Sequence, residues 1–394
     1  NQASSHLAAP LFPEASIQWL LDDLDQFETR AQDPFLVPTA VKQKIQDISS
    51  YWLPRCMQTQ YEARIQPDIT TAEDTHAIRI KSSGGIGHQL LHLDRVLRLG
   101  MAGIREEIQE RLDRGHAEWA NPDQLDFWRA LILTCDSIDA FASRFAKLAF
   151  QQAAATEDSQ RRLELEQIAD ICCRVPAEPA RTFHEALQVV WFMTVIGHIF
   201  QSGGGVTLGR LDQILCPYFQ QDLHRGRLDL ERAQELLDCL WLKLQDLNVV
   251  RPTDTVVAWA GYEVNPTVNI GGLDLKGNDA TNELTYMCLV SEEHIHMRNP
   301  QLILRVHNRT PNELWRAAIE VMRRGGGKPS LIRDRVCMQA LASLGQPDHG
   351  PLVMALSAQG TRAHPSCGYR SSYRRLRWRR YRAPCPVHAF RRLA

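Results

Sequence analysis

A helix-rich α/β fold is predicted by three observations. Two short aliphatic runs, Thr267–Ile270 and Gln301–His307, lack the period-2 alternation of a half-exposed strand and so read as strands buried on both faces. Long segments with apolar residues at i, i+3/i+4 spacing surround them. Over residues 299–344, strand-like and helical runs alternate, the pattern of an α/β barrel or open sheet. In such folds the chemistry sits on loops beyond the C-terminal ends of the strands.

Taken in order, residues 1–10 read as disordered. A helix follows with Ile17, Leu20, Leu21, Leu24 and Phe27 on one face, broken at Gln32–Phe35, and a second runs from Pro38 to Tyr51. Ala77–Ile80 reads as a short strand, Ser82–His88 as a glycine-rich turn and Leu90–Leu99 as a helix. Residues 101–175 are nearly continuous helix, in the segments Gly103–Arg114, Asp123–Phe150 and Thr156–Arg174, until Pro176 and Pro179 end the block. Ala180–Phe200 is a strongly apolar helix with Phe183, Leu187, Val190, Trp191 and Thr194 along one side. Residues 201–209 are glycine-rich. Arg210–Gln213 then opens a helix, and Leu228–Leu244 is another, with Asp229 placed to cap it. A helix beginning in Asp279–Glu283 runs to about Ser291. After the strand Gln301–His307, Thr310 is set to N-cap a helix, with Pro311 at its first position and Glu313 in the capping-box place. That helix, Asn312–Arg324, groups Leu314, Trp315, Ala318, Ile319 and Met322, and Gly325–Gly327 ends it. Pro329–Ile332 is strand-like, and Asp334 leads a last helix to about Leu344.

From about Gly350 the periodicity is lost. Residues 362–394 carry ten arginines and no acidic residue, which leaves the rest of the chain net acidic although the whole stands at −1. That bulk is not the footprint of a nucleic-acid binder. Apolar residues are 44% and charged residues 23%, an ordinary globular composition, and no run is long and apolar enough for a membrane span. Ten cysteines without a CxxC pair point to a reducing, cytoplasmic compartment. The chain begins at Asn1 rather than Met, so an incomplete N-terminus is expected.

Local motifs are weak taken singly. Gly325–Lys328 is followed by Pro329 and lacks the Walker spacing, and neither Gly84–Gly87 nor Gly203–Gly205 forms a dinucleotide fingerprint, so all three read as turns. His294-x-His296 lacks further metal ligands nearby and reads as a surface loop. Cys172-Cys173 reads as helix packing, and Asp212 as a helix cap or ion-pair member. His88, at a glycine-rich turn entering a helix, is placed where a side chain can point into a pocket, with an ordinary turn histidine as the alternative.

In series, these segments resemble the glycyl radical, pyruvate formate-lyase-like enzymes. The resemblance is carried by Trp19–Asp25 with Arg30–Phe35; by Gly87-His88 with Asp94–Gly100, where Arg95 stands in place of the usual Tyr; by Pro179–Phe192; and by Gly209-Arg-Leu-Asp-Gln213. It continues in Asn269–Asp274 with Asp279–Leu284, and in Pro300–His307 with Thr310-Pro311. It covers roughly residues 11–348. The resemblance implies a ten-stranded α/β barrel of two five-stranded halves, of which this chain supplies mainly the first. The division expected is an N-terminal part of that domain over 1–348 and a non-native, frameshifted Arg-rich tail over 349–394.

The resemblance also implies radical chemistry on a small polar substrate, as a lyase, a dehydratase or a formate acetyltransferase-like enzyme. It implies a glycyl radical installed by an S-adenosylmethionine, iron–sulfur activating enzyme, and a homodimer. No bound cofactor, metal, membrane or nucleic acid is expected. The Gly-Cys-x-Glu loop of the dehydratase branch, due about a dozen residues after Pro347, does not occur, and Cys367 lacks the Glu two residues on. No catalytic residue is therefore assigned, and the chain is expected to be inactive as it stands. His88 matches a pocket-lining His of the diol-dehydratase branch. Gly204 and Gly205 replace that branch's His-Ser, which argues against a glycerol dehydratase, and Val206 and Thr207 fall on the same pocket wall. His88, Gly204, Gly205 and Thr207 are thus the candidate substrate-binding residues. The competing expectation, from another class, is a non-catalytic helical scaffold whose basic tail binds nucleic acid.

Overall fold

The computed structural model describes residues 13–75, 77–78, 89–118, 120–201, 206–247, 249–253, 256, 266–274 and 276–343. Its frame is one parallel sheet in the order β1 (Gln89–Leu90), β2 (Val206–Arg210), β3 (Thr267–Gly271), β4 (Gln301–Val306) and β5 (Ser330–Arg333). Spatial order equals chain order, so each crossover steps to the neighbouring strand. Before β1 lie four short helices, α1 (Gln18–Asp23), α2 (Thr39–Trp52), α3 (Met57–Glu62) and α4 (Pro67–Asp74). Between β1 and β2 come α5 (Leu93–Ala117), α6 (Pro122–Ala155), α7 (Ser159–Arg174) and α8 (Phe183–Gln201). Then α9 (Leu211–His224) and α10 (Leu230–Gln245) precede β3, α11 (Glu283–Ile295) precedes β4, α12 (Asn312–Arg323) precedes β5, and α13 (Asp334–Ser343) follows it.

The core lies between one face of the sheet and the helices. Leu208, Val268, Ile270, Leu302, Leu304 and Val306 point into it, against Phe183, Val190, Phe219, Leu237 and Trp241. Helix α8 contributes buried residues on several sides, which explains its continuous apolarity. The α5–α6–α7 excursion packs through small residues: Ala142, Ala146, Ala149 and Ala153 repeat along the buried side of α6. Gly100 breaks the helical path of α5 at φ +64°, and a Cβ there would stand 2.3 Å from the Ala177 carbonyl oxygen, so only glycine fits. The backbone amides of Met101 and Ala102 donate to Pro176 and Ala177 at this crossing. Helix α1 and its neighbours form a smaller core of Ile17, Leu20, Leu24, Phe27 and Val37. The Arg30 Nη1 donates to the Arg251 carbonyl (3.1 Å), and the Asp23 carboxylate accepts from the Thr253 amide (2.7 Å).

Several expectations need correction. Ala77 and Ile78 are not strand, and Arg79 and Ile80 lie outside the described residues. The first strand is Gln89–Leu90, at the start of the stretch read as helix from Leu90, and that helix starts at Leu93. Val206–Arg210 is a strand buried at every position, although 206–209 read as glycine-rich and Arg210 as the start of a helix; Gly209 masked a run only five residues long. Thr310 does not cap α12. Its hydroxyl accepts from the His307 amide (2.8 Å), and Pro311 occupies the N-cap without a side-chain bond. The buried stripe of α12 is Leu314, Ala318 and Val321, while Ile319 is half exposed. Asp229 caps α10 as expected, accepting from the Arg232 amide (2.7 Å). The helix after Asp279 begins with a capping box of Asn282 and Thr285. Residues 1–10 and 349–394 lie outside the described residues.

Candidate active site

The sheet has a second face, opposite the helices, and register identifies what points there. Parallel partners in register project to the same side. Thr207 pairs with Thr267, which pairs with Gln301; Asn269 pairs with Ile303, which pairs with Ser330; Gly271 pairs with Arg305, which pairs with Ile332. This face is therefore rich in polar side chains, while the helix side of β2, β3 and β4 is aliphatic. An enclosed aliphatic strand offers a small polar molecule nothing to bind, so the polar face is where a site belongs.

A bulge in β2 extends that face. Arg210 pairs with Asn269 and Thr207 with Thr267, so three steps along β2 match two along β3. Strict alternation would turn Arg210 toward the helices with Leu208; the extra residue returns it to the polar face. Gly209, at φ +78°, supplies the backbone conformation this requires.

At the C-terminal end of β3, charged side chains clamp one turn. Arg210 donates to the Gly271 and Leu273 carbonyls (2.6 Å each). Asp212 Oδ2 accepts from the Gly271 amide (2.7 Å) and the Thr285 hydroxyl (2.6 Å). Asp334 Oδ2 accepts from the Leu273 amide (2.9 Å), while its Oδ1 accepts from Arg305 Nε (2.8 Å). Gly271 and Gly272 are both at positive φ, and a Cβ on Gly272 would meet Arg305 and Asp334 at about 3 Å. Burial lowers the proton affinity of the Arg210 guanidinium and raises that of the Asp212 carboxyl. Asp212 thus holds the neighbouring strand's turn; it is neither a cap for its own helix nor half of a simple ion pair.

Beyond β4, His307 Nδ1 accepts from the Arg309 amide (3.1 Å), which places the ring proton on Nε2, where it meets Asp279 Oδ1 at 2.9 Å. Around this pair a cavity of about 350 Å³ opens between Leu273, His307, Asn308, Arg309, Arg335 and Gln339, at the C-terminal ends of β3, β4 and β5. A larger cavity, about 810 Å³, lies in the helix layer among Phe141, Phe145, Trp191, Phe192 and Leu240, away from the strand ends.

Of the candidate residues, Thr207 is buried on the polar face, and its hydroxyl has no hydrogen-bond partner among the described residues. Val206 is buried. His88, Gly204 and Gly205 lie outside the described residues. Sequence reasoning missed Thr267, Asn269, Asp279 and Asp334 as parts of this region. The first two read only as strand, and strand register was needed to place them. His294 contacts Asp238 (2.7 Å) and His296 ends α11 in the left-handed region. No group of three metal-ligating side chains occurs among the described residues. Cys172 is buried and Cys173 exposed on α7, as helix packing requires. No described helix is long and apolar enough to cross a membrane.

A family model described as pyruvate formate lyase-like matches residues 1–353. An isethionate sulfite-lyase of Nitratidesulfovibrio vulgaris is 33% identical over 350 residues, covering 85% of this chain and 42% of the relative. The structure of the 1,2-propanediol-dehydrating protein of Roseburia inulinivorans superposes with a TM-score of 0.81 at 32% identity, over 86% of this chain and 43% of that one. A glycyl radical enzyme from Archaeoglobus fulgidus gives a TM-score of 0.77 at 28% identity, over 86% and 44%. The chain therefore spans less than half the length of these relatives. The helical-scaffold alternative finds no support among them. The resemblance seen in the sequence and the five-stranded parallel sheet agree with this match, and the chain belongs to the pyruvate formate lyase-like family of glycyl radical enzymes.

Proposed function

We propose that this chain forms the first five strands of a glycyl radical lyase or dehydratase barrel acting on a small polar molecule. The observation that carries the reading is the polar row Thr207, Thr267 and Gln301 with Asn269, facing away from the helix core in a member of this family. Thr207 would contact the substrate there, joined by His88, Gly204 and Gly205. A hydroxylated sulfonate or a small diol suits such a wall, since relatives include an isethionate sulfite-lyase and a protein that dehydrates 1,2-propanediol.

The radical would come from an S-adenosylmethionine, iron–sulfur activating enzyme in an anaerobic, cytoplasmic setting, with the intact enzyme a homodimer. The 394 residues include no Gly-Cys-x-Glu, so no chemical step is assigned to a residue of this chain. Residues 349–394 are read as frameshifted, and an uninterrupted native frame through that region of the gene would overturn this. Anaerobic incubation of the chain with an activating enzyme of this class and S-adenosylmethionine is expected to yield no glycyl radical signal by electron paramagnetic resonance. A radical doublet, or turnover of a diol, would show that the chain is active as it stands.

A further inference from the structure

We propose that the helix-layer cavity of about 810 Å³ is a binding site for a neutral, largely apolar small molecule carrying one hydrogen-bonding group, such as a phenol or a comparable aromatic alcohol. One stripe of α8 runs along it: Leu187, Trp191, Val195 and His198 recur every three or four residues and all line the cavity. Helices α6, α7 and α10 supply the rest of the lining. The cavity opens where α6 and α7 meet α8 through a small cluster of their own, separate from the main core. There the rings of Phe141, Phe145 and Phe192 lie with centroids 5.0 to 6.0 Å apart. An aromatic lining of this kind, in a volume within the roughly 300–1,000 Å³ of small-ligand sites, suits an apolar body.

Two further observations set the rest of the ligand's chemistry. The charged side chains of the lining balance, Arg161, Arg232 and Lys243 against Glu164, Glu235 and Asp246. Each cation is paired on its own helix: Arg161 with Glu164 (2.8 Å), Arg232 with Glu235, and Lys243 with Asp246 (3.6 Å). Lys243 also lies over the Trp191 ring, 5.8 Å from its centroid. A charged ligand would therefore have to break a pair to be held, and a neutral one would not. The second observation is His198. It lines the cavity at 1% exposure, and neither ring nitrogen has a partner among the described residues. Burial pushes its pKa down to about 4, so the imidazole is neutral, with one N–H to donate and one nitrogen to accept. A buried polar group left without a partner costs free energy, which a bound hydroxyl recovers. A void left by imperfect packing needs no such group on its lining, and this cavity has one.

The test needs neither a radical nor the polar face of the sheet, so it stands apart from the proposed function. The 394-residue chain is titrated by ligand-observed NMR, at about pH 7, with 4-propylphenol, propylbenzene and 4-propylbenzoate. The phenol is expected to bind about fivefold tighter than propylbenzene, the worth of one hydrogen bond, and the benzoate more weakly than either. His198→Leu is expected to abolish that preference by weakening the phenol alone, with no loss of stability in urea, since the unpartnered imidazole is gone. Val195→Phe, which fills the cavity, is expected to weaken the phenol at least about tenfold. Should that variant not fold, the ¹⁹F signal of Trp191 in 5-fluorotryptophan-labelled parent, assigned through Trp191→Phe, locates the probe instead and is expected to shift as the phenol binds. No binding of the phenol, equal binding of phenol and propylbenzene, a preference for the benzoate, or a phenol preference that survives His198→Leu would overturn the proposal. So would phenol binding that Val195→Phe leaves intact or that leaves the Trp191 signal unmoved.

Discussion

Buried charge is handled differently at the strand ends and in the helix layer. At the strand ends, Asp334 uses both oxygens, and Arg210 reaches two carbonyls of the same turn. In α6, Asp139 is half-buried, with one carboxylate oxygen enclosed and unpartnered among the described residues. Burial first, then the Asp136 and Glu178 charges, push its pKa up to about 6, with Arg105 opposing them. His198, inside the helix layer, is buried with neither ring nitrogen bonded among the described residues, and burial pushes it down to about 4. The contrast lies between a buried pair, Asp334 and Arg305, that bond each other beside the turn at β3, and Asp139 and His198 in the helices, which burial holds toward neutrality.

The sharpest way to break the contrast is Asp334→Ala. It removes the carboxylate from a buried pair in which Arg305 is only 3% exposed, and it frees the Leu273 amide. A loss of about 3–5 kcal/mol is expected from urea unfolding, because a buried guanidinium loses the Asp334 carboxylate. A loss below about 1 kcal/mol would mean that the clamp contributes little. Gly209→Ala comes next. A Cβ would make only ordinary contacts with Leu90 and Ile214, at 3.4 and 3.5 Å, so the cost is conformational. The positive φ sets it at about 1–2 kcal/mol. If the bulge positions Arg210, the same change should also shift backbone amide signals at Gly271 and Leu273 in NMR spectra.

These strand-end features bear on how much the sequence disclosed. The Gly209-Arg-Leu-Asp-Gln213 string was recognisable and its family correct, but its physical purpose was not. Alternation along β2 cannot reveal a bulge, and the partner turn at Gly271–Leu273 lies about sixty residues away. Helices α5 to α8 were legible because their periodicity is local. Strand β1 was not, because two residues carry no period. The polar face was invisible for a related reason: Thr267 and Asn269 look like any strand residues until register sets them beside Thr207 and Gln301.

Asp139→Asn tests the helix-layer half of the contrast, with the opposite sign. A carboxyl whose folded pKa lies above its usual value favours folding below the unfolded pKa, near 4, and loses that contribution as pH rises through about 6. The asparagine variant does not titrate there. It should therefore be more stable than the parent at pH 8, by about 1 kcal/mol once partial solvent screening is allowed for, and the gain should vanish by about pH 4. A gain that is the same at both pH values would show that Asp139 is not the group responsible.

Thr207→Val should disturb stability least and discriminate most. The side chains are nearly the same size, and the hydroxyl is buried without a partner among the described residues. Removing it breaks no bond and relieves a desolvated oxygen, so the urea midpoint should stay within about 0.5 kcal/mol of the parent or rise. A structural threonine with a hidden partner would instead cost about 1 kcal/mol or more. Ligand binding separates the remaining cases. If the polar face holds a small hydroxylated molecule, the variant should lose roughly 1 kcal/mol of affinity for 1,2-propanediol, measured by ligand-observed NMR, with no change in folding. Unchanged stability together with unchanged binding would leave the hydroxyl without a role and move the site away from β2. Stability and binding thus respond independently at this position, because its hydroxyl faces the polar side of the sheet while its backbone sits in the ladder between β1 and β3.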